Sequence, residues 1–370
     1  MATERPSAML AIAQDRNKRG EDGSESFYSA IARQVAALGP RALANVDVER
    51  DVVAVENHGL TTFMHKATGH DTYLVTGQVA GTEEGAALGA NGPIKHPIND
   101  DSVIRPKLPI VEGTLAPGAV ADQANNDRAY VEDLPSVPIP ADDLIQGPDQ
   151  PRIFVSQPLR KSEAARKASM SSGGREPARD VLILTLPPLY RNINKTKSTS
   201  NPRSSRGSRN VRASVVVEQS DDAKMEHGDD PEDKPPVQVG TLYDPALLPG
   251  HDQPGINHSS GIRVEQPDVR DIDGNLIPPW DFPSQLRPGT YIKAIVQPVC
   301  WVYRSTDKVN KVYALLVKSL QVLDESDEEV QPQPTIYDGD SSSTPVKRPD
   351  VISLSFDSLT SPCPKRRRVL

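Results

Sequence analysis

The chain has nine Tyr, five Phe and two Trp, and seven of these rings, both Trp among them, lie between Thr241 and Val322. Large aromatic side chains dominate core burial, so a packed unit is expected there. Elsewhere the means to build a core are scarce. Apolar residues make up only 36% of the 370 positions, and 35 positions are Pro. Long stretches of that composition cannot offset the entropy of ordering the backbone. The expected architecture is a mostly disordered chain with one small all-β module at about 241–325, of a size that suits a five-stranded OB-like or other small barrel.

Within that module, Asp273-Gly-Asn275 and Arg287-Pro-Gly289 are turn signals, and Pro278-Pro279 holds an extended approach to Trp280. Alternation predicts a strand over Thr290–Arg304, with Ile292, Ala294, Val296, Cys300 and Val302 inward. Pro298 implies an edge position or a bulge. A second strand, Lys311–Val322, carries Val312, Ala314, Leu316, Leu320 and Val322 inward, with Lys311, Tyr313, Val317 and Gln321 outward. The pair forms a long hairpin after the polar turn Ser305–Lys308. A lone hairpin is marginal in water, so residues 241–288 are expected to add strands, or the unit needs a partner.

The remaining segments divide by composition. Residues 1–85 read as a weakly structured region with a polar start, a short amphipathic helix over about 24–38 and a thin hairpin over 50–80. In the helix Ser24 is the cap, Phe27, Ile31, Val35 and Leu38 share one face, and Gly39-Pro40 is the stop. Gly59, Gly69 and Gly77 read as turn residues. Residues 86–151 read as a Pro/Gly-rich linker. Residues 152–214 hold fourteen Lys/Arg against three acids and read as a basic disordered segment, broken by the apolar run Val181–Leu186. Residues 215–240 read as an acidic disordered segment, and 326–370 as a disordered tail.

The series Asp273-Gly-Asn-Leu-Ile-Pro-Pro-Trp280, Leu286-Arg-Pro-Gly-Thr290, Lys311-Val-Tyr313 and Val322-Leu-Asp-Glu-Ser-Asp327 resembles a segment of an expanded group of uncharacterised basidiomycete fungal proteins. Some of that group look associated with mobile genetic elements. The resemblance implies no activity, and where others of the group carry a histidine this chain has Leu316-Val-Lys-Ser319.

The outward hairpin face combines rings and cations: Tyr291, Lys293, Trp301, Tyr303, Lys311 and Tyr313. Single-stranded nucleic-acid platforms use that combination, with stacking contributing roughly 1–3 kcal/mol per base. The alternative is that these rings pack as ordinary core against 241–288. The basic segment 152–214 either tracks a phosphate backbone or pairs with the acids of 218–234. Pro364-Lys-Arg-Arg-Arg-Val-Leu370 resembles the monopartite nuclear localisation signal of the large-T type. Lys365, Arg366, Arg367 and Arg368 would meet an importin-type import receptor, and Lys347-Arg348 would make the signal bipartite.

Val351, Ile352 and Leu354, flanked by Asp350 and Asp357, resemble a SUMO-interacting motif that binds by strand addition. Val215–Asp222 and Val181–Leu184 have related layouts. Ser326 suits an acidophilic kinase; Thr344 and Ser361 suit proline-directed kinases, and a phosphate on Ser361 would oppose importin binding.

Enzymatic chemistry lacks its usual marks: there is no Gly-rich phosphate loop, no nucleophile elbow and no Cys/His nucleophile context. His58, His65 and His70 match no standard metal spacing, and no cofactor is implied. Cys300 and Cys363 form no disulfide framework, and no apolar run approaches the length of a membrane span. The expectation is a nuclear, non-enzymatic interaction or DNA-associated accessory protein with no membrane partner. The alternative is an adaptor whose β-module binds a protein and no nucleic acid.

Overall fold

The computed structural model describes residues 8–20, 22–57, 59–140, 152–161, 180–194, 237–304 and 308–336. Helix α1 (Ala8–Asn17) leads into α2 (Phe27–Ala37) and α3 (Val48–Asp51). Strands β1 (Val52–Asn57), β2 (Leu60–His65), β3 (Tyr73–Val79) and β4 (Lys107–Val111) follow, then helix α4 (Gly118–Asp133). Next come β5 (Arg152–Ser156), β6 (Leu159–Lys161), β7 (Asp180–Thr185) and β8 (Tyr190–Asn192). The series ends with β9 (Leu242–Tyr243), β10 (Ile262–Glu265), β11 (Val269–Arg270), β12 (Tyr291–Arg304) and β13 (Lys308–Asp324). Among the described residues no helix is long and apolar enough to cross a membrane.

Five strands close on themselves. β12 pairs with β3, β3 with β4, β4 with β7, β7 with β13, and β13 again with β12. All these pairs are antiparallel except β7–β13, which is parallel. Closure leaves no open edge within the ring. Tyr73, Val75, Leu108, Ile110, Leu182, Leu184, Ile292, Ala294, Val296, Leu315 and Val317 share one buried core inside it. Gly77 lies within β3 rather than in a turn. A Cβ there would sit 3.1 Å from the Ile110 side chain and from the Val111 carbonyl oxygen, so glycine lets β4 cross without being pushed aside.

Beyond the ring the hairpin continues. Where β3 leaves β12, β2 takes its place at Val299–Trp301 and brings β1 with it. Pro298 falls in the gap between these two neighbours, where that flank asks for no ladder hydrogen bond. On the far side β5 extends β13 in parallel from Arg152↔Lys308 to Ser156↔Val312.

The β-rich character expected of the chain is present, but the unit is not small. Its ring partners come from β3, β4 and β7, far upstream of the expected module. Of residues 241–288 only β11 joins the large sheet. The rest helps to form a separate three-stranded sheet, β8-β10-β9, over a second core of Ile98, Ile104, Leu189, Leu248, Val264 and Ile336, with Trp280 against Tyr243 at 4.9 Å. The stretch 86–151, expected as a linker, instead supplies β4 and α4, whose Leu108, Ile110, Tyr130 and Val131 are all core. The run Val181–Leu184 is the buried strand β7, so it is not available for strand addition to a partner.

The N-terminal elements are tied down by specific contacts. Ser26, not Ser24, caps α2 by accepting from the Ser29 amide, and Tyr28, Ile31 and Val35 form its buried face. The polar start carries α1, whose buried Arg16 pairs with Asp324 at 2.6 Å and donates to the Gly289 carbonyl at 2.9 Å. Residues following β13 are strapped over the β3–β4 connection. The Thr82 amide donates to Gln331 at 2.7 Å, and the Leu88 amide to Gln333 at 2.8 Å. Ser326 is only 1% exposed beneath the Gly289 turn, which removes it as an accessible phosphorylation site. Thr344, Ser361, the import residues, and Val351, Ile352 and Leu354 lie outside the described residues, as does Val215–Asp222.

Candidate nucleic-acid interface

Strand parity decides which hairpin side chains share a face. Along β12 the expected inward set, Ile292, Ala294, Val296 and Cys300, is in the core, with Val302 packed against it. Along β13 the pattern changes hand. Ile295 faces Ser319 and Val296 faces Val317, so Lys318 is an extra, bulged residue. Leu320 and Val322 point inward as expected, but upstream of the bulge the inward residues are Tyr313, Leu315 and Val317. Tyr313 packs beside Phe63 with ring centroids 5.9 Å apart, and Lys311 is buried. Both therefore leave the predicted face.

Tyr291 leaves it for a different reason. It keeps the outer direction but is covered by α2, meeting Phe27 at 5.3 Å and Tyr28 at 5.7 Å, with Arg16 over its ring at 5.4 Å. Burial pushes its hydroxyl well above the ordinary tyrosine range. Lys293 stays on the outer side beside α2. Eight residues separate it from Trp301, about 26 Å of strand.

Trp301 and Tyr303 remain together. They stand half-buried on the outer face, two residues apart, and Trp301 packs with Leu60 against Val299, Ala314 and Leu316. The register adds a third ring: Tyr303 faces Asn310, and Asn310 faces Phe154 on β5. Phe154 is 43% exposed and sits two strands away, about 10 Å. Arg152, exposed on the same side of β5, flanks it.

Two cations complete this side, and composition had hidden both inside the supposed linker. Lys107 pairs across the β4–β7 ladder with Thr185, which faces Leu316 on β13, so the amine belongs to the outer face. Its Nζ donates to the Thr185 hydroxyl at 2.7 Å. Burial, helped by the charge of Arg105, brings its pKa down to about 8. Burial likewise lowers the pKa of Arg105, which lies within electrostatic reach of Tyr303. Among the described residues neither cation has a carboxylate partner. The Tyr303 hydroxyl is raised to about 12 by burial and has no hydrogen-bond partner among the described residues. Desolvated cations with no counter-ion among the described residues, beside half-buried rings, form a surface suited to a flat, anionic ligand.

No comparable set exists for metal chemistry. His65 and His70 stack at 5.3 Å and both approach the Thr68 hydroxyl, but no three His, Cys, Asp or Glu converge among the described residues.

Neither a protein-family model nor a curated protein matches the sequence. Solved structures align with it weakly. A single-stranded DNA-binding protein from bacteriophage Enc34 aligns at 7% identity over 78% of this chain and 98% of its own, with a TM-score of 0.28. The same protein in complex with ssDNA aligns at 10% identity over 76% and 99%, TM-score 0.26. The single-stranded DNA-binding protein gp2.5 of bacteriophage T7 aligns at 10% identity over 71% and 99%, TM-score 0.25. Scores of that size are below those of a common fold, so the description of this barrel stands on its own strand pairing.

Proposed function

We propose that this chain is a non-enzymatic, DNA-associated protein that holds single-stranded nucleic acid on the outer face of an OB-like barrel. The observation that carries the reading is the grouping of Trp301, Tyr303 and Phe154 with Arg105 and Lys107, two cations with no acidic partner among the described residues. Rings stack on bases of any sequence, and the cations meet the backbone phosphates. The ring of strands supports the barrel part of the reading. Counted in chain order as one to five, β3, β4, β7, β12 and β13 close as one-two-three-five-four, with a parallel three–five pair. That is OB connectivity, and OB barrels take oligonucleotides on the strand two–three face and the adjoining loops. Lys107 lies on strand two, and Tyr303 near the four–five turn.

A nuclear address belongs to the same proposal on sequence grounds, through Lys347, Arg348 and Lys365, Arg366, Arg367 and Arg368. A second reading, a protein adaptor, is favoured by one feature. In the edge strand β5, Ile153, Phe154 and Val155 are each 43–50% exposed, and such an edge invites strand addition.

Fluorescence anisotropy of the full chain with a labelled single-stranded oligonucleotide tests the proposal. Saturable binding that weakens with salt is expected, with a loss of about 1–3 kcal/mol in Trp301→Ala. The pH dependence has a definite sign. Lys107 is neutral above about 8 in the free protein. Contact with a phosphate favours its charged form, so binding takes up a proton and affinity falls as pH rises from 7 to 9. Lys107→Gln should flatten that fall. A folded chain that binds no oligonucleotide at low salt leaves only the adaptor.

A further inference from the structure

Helix α2 covers only part of the outer sheet face over which it lies. Beside it a cleft of about 600 Å³ runs between the helix and strands β3, β12 and β13, a volume within the range of small-molecule sites. Its apolar lining is Ile31 and Val35 from α2, Leu38 at its C-terminal end, Leu74 from β3, Ile295 from β12 and Leu323 from β13, interspersed with the neutral polar Gln34, Thr76, Ser319 and Gln321. Three charged side chains line it. Two neutralise each other, Arg270 pairing with Asp268 at 2.7 Å and also donating to the Gly274 carbonyl at 2.9 Å. The third, Lys293, stands half-buried with no carboxylate within ion-pair distance among the described residues.

We propose that this cleft binds an amphipathic organic anion, an apolar body carrying a single carboxylate that pairs with Lys293. The charge pattern decides among occupants. A neutral apolar ligand would leave the ammonium desolvated without compensation, and a cationic one would add a like charge beside it. A monoanion satisfies it, while the paired Arg270 and Asp268 need nothing further. The apolar part gains by covering Leu74, Ile295 and Leu323, which the helix leaves half-buried. The site is independent of the nucleic-acid reading, because Lys293 and Trp301 are separated by about 26 Å of strand.

The test is calorimetric titration of the full chain with dodecanoate below its micellar concentration, with dodecyltrimethylammonium as the opposite-charge control. The proposal expects saturable, single-site binding of dodecanoate, weakened about tenfold or more in Lys293→Gln, and no binding of the cation. Ala37→Trp, which narrows the cleft from α2, should also abolish binding while each variant keeps the melting temperature of the parent. The proposal is overturned by absence of saturable binding, by equal affinity in Lys293→Gln, or by equal binding of the cation. A concentration-dependent dimer that Leu38→Glu dissociates would assign the cleft to a second copy and overturn it as well.

Discussion

Asp127 is a buried carboxylate with an incomplete set of partners among the described residues. It lies on α4, wholly buried, and one of its carboxylate oxygens has no hydrogen-bond partner among the described residues. Burial raises its pKa well above the ordinary value; the charge of Arg128 and the Ala44 amide only partly oppose this. The folded state therefore holds its proton to higher pH than the unfolded state does. Below the unfolded pKa both states are protonated and the group costs nothing. As pH rises from there toward the folded pKa, stability is lost. Asp127→Asn should remove that loss, stabilising the protein by about 1–3 kcal/mol at neutral pH, with the difference vanishing near pH 3. Thermal melts of both proteins at the two pH values check it, and an unchanged or lower melting temperature for the variant at pH 7 contradicts it.

At the scale of elements, the bulge at Lys318 governs which side chains meet. Strict alternation carried along β13 assigns Leu320 and Val322 correctly but turns Lys311, Tyr313 and Val317 to the wrong side, because one extra residue reverses parity. Deleting Lys318 leaves Val317 and Leu320 two positions apart in a regular strand, so both halves of β13 keep their inward sets. The expected outcome is a cooperative melt by circular dichroism, and loss of the cooperative transition would show that Lys318 is more than an extra residue in the ladder. The hairpin was readable from alternation, turn residues and ring content. Its bulge was not, since Lys318 is an ordinary exposed lysine with no local mark. Helix α2 was readable from spacing and its Gly39-Pro40 stop, with the cap shifted to Ser26.

At the scale of the whole molecule, composition understates how much of the chain folds. β4 is a five-residue strand, Lys107-Leu-Pro-Ile-Val111, set in Pro-rich sequence. Composition averaged over 86–151 hides it, yet Leu108 and Ile110 suffice to fill their side of the barrel. The same averaging hid Arg105 and Lys107, while Trp301 and Tyr303 were visible as an aromatic-cationic pattern. Tyr291, Lys311 and Tyr313 share that pattern but are buried, because only tertiary packing distinguishes a covered side chain from an open one. Closure depends on pairings between β12 and β3, more than 200 residues apart. A fragment of residues 241–325 thus lacks three of five ring strands and should show no cooperative melt, whereas a folded fragment would contradict the barrel's closure.

The central claim is that bases lie on Trp301, Tyr303 and Phe154 of the outer face. The most direct measurement is ultraviolet cross-linking of the full chain to a single-stranded oligonucleotide carrying bromodeoxyuridine, with the linked peptides mapped by mass spectrometry. The account predicts adducts on Trp301, Tyr303 or Phe154 that are lost when unlabelled oligonucleotide competes. Competed adducts confined to other parts of the chain would contradict it.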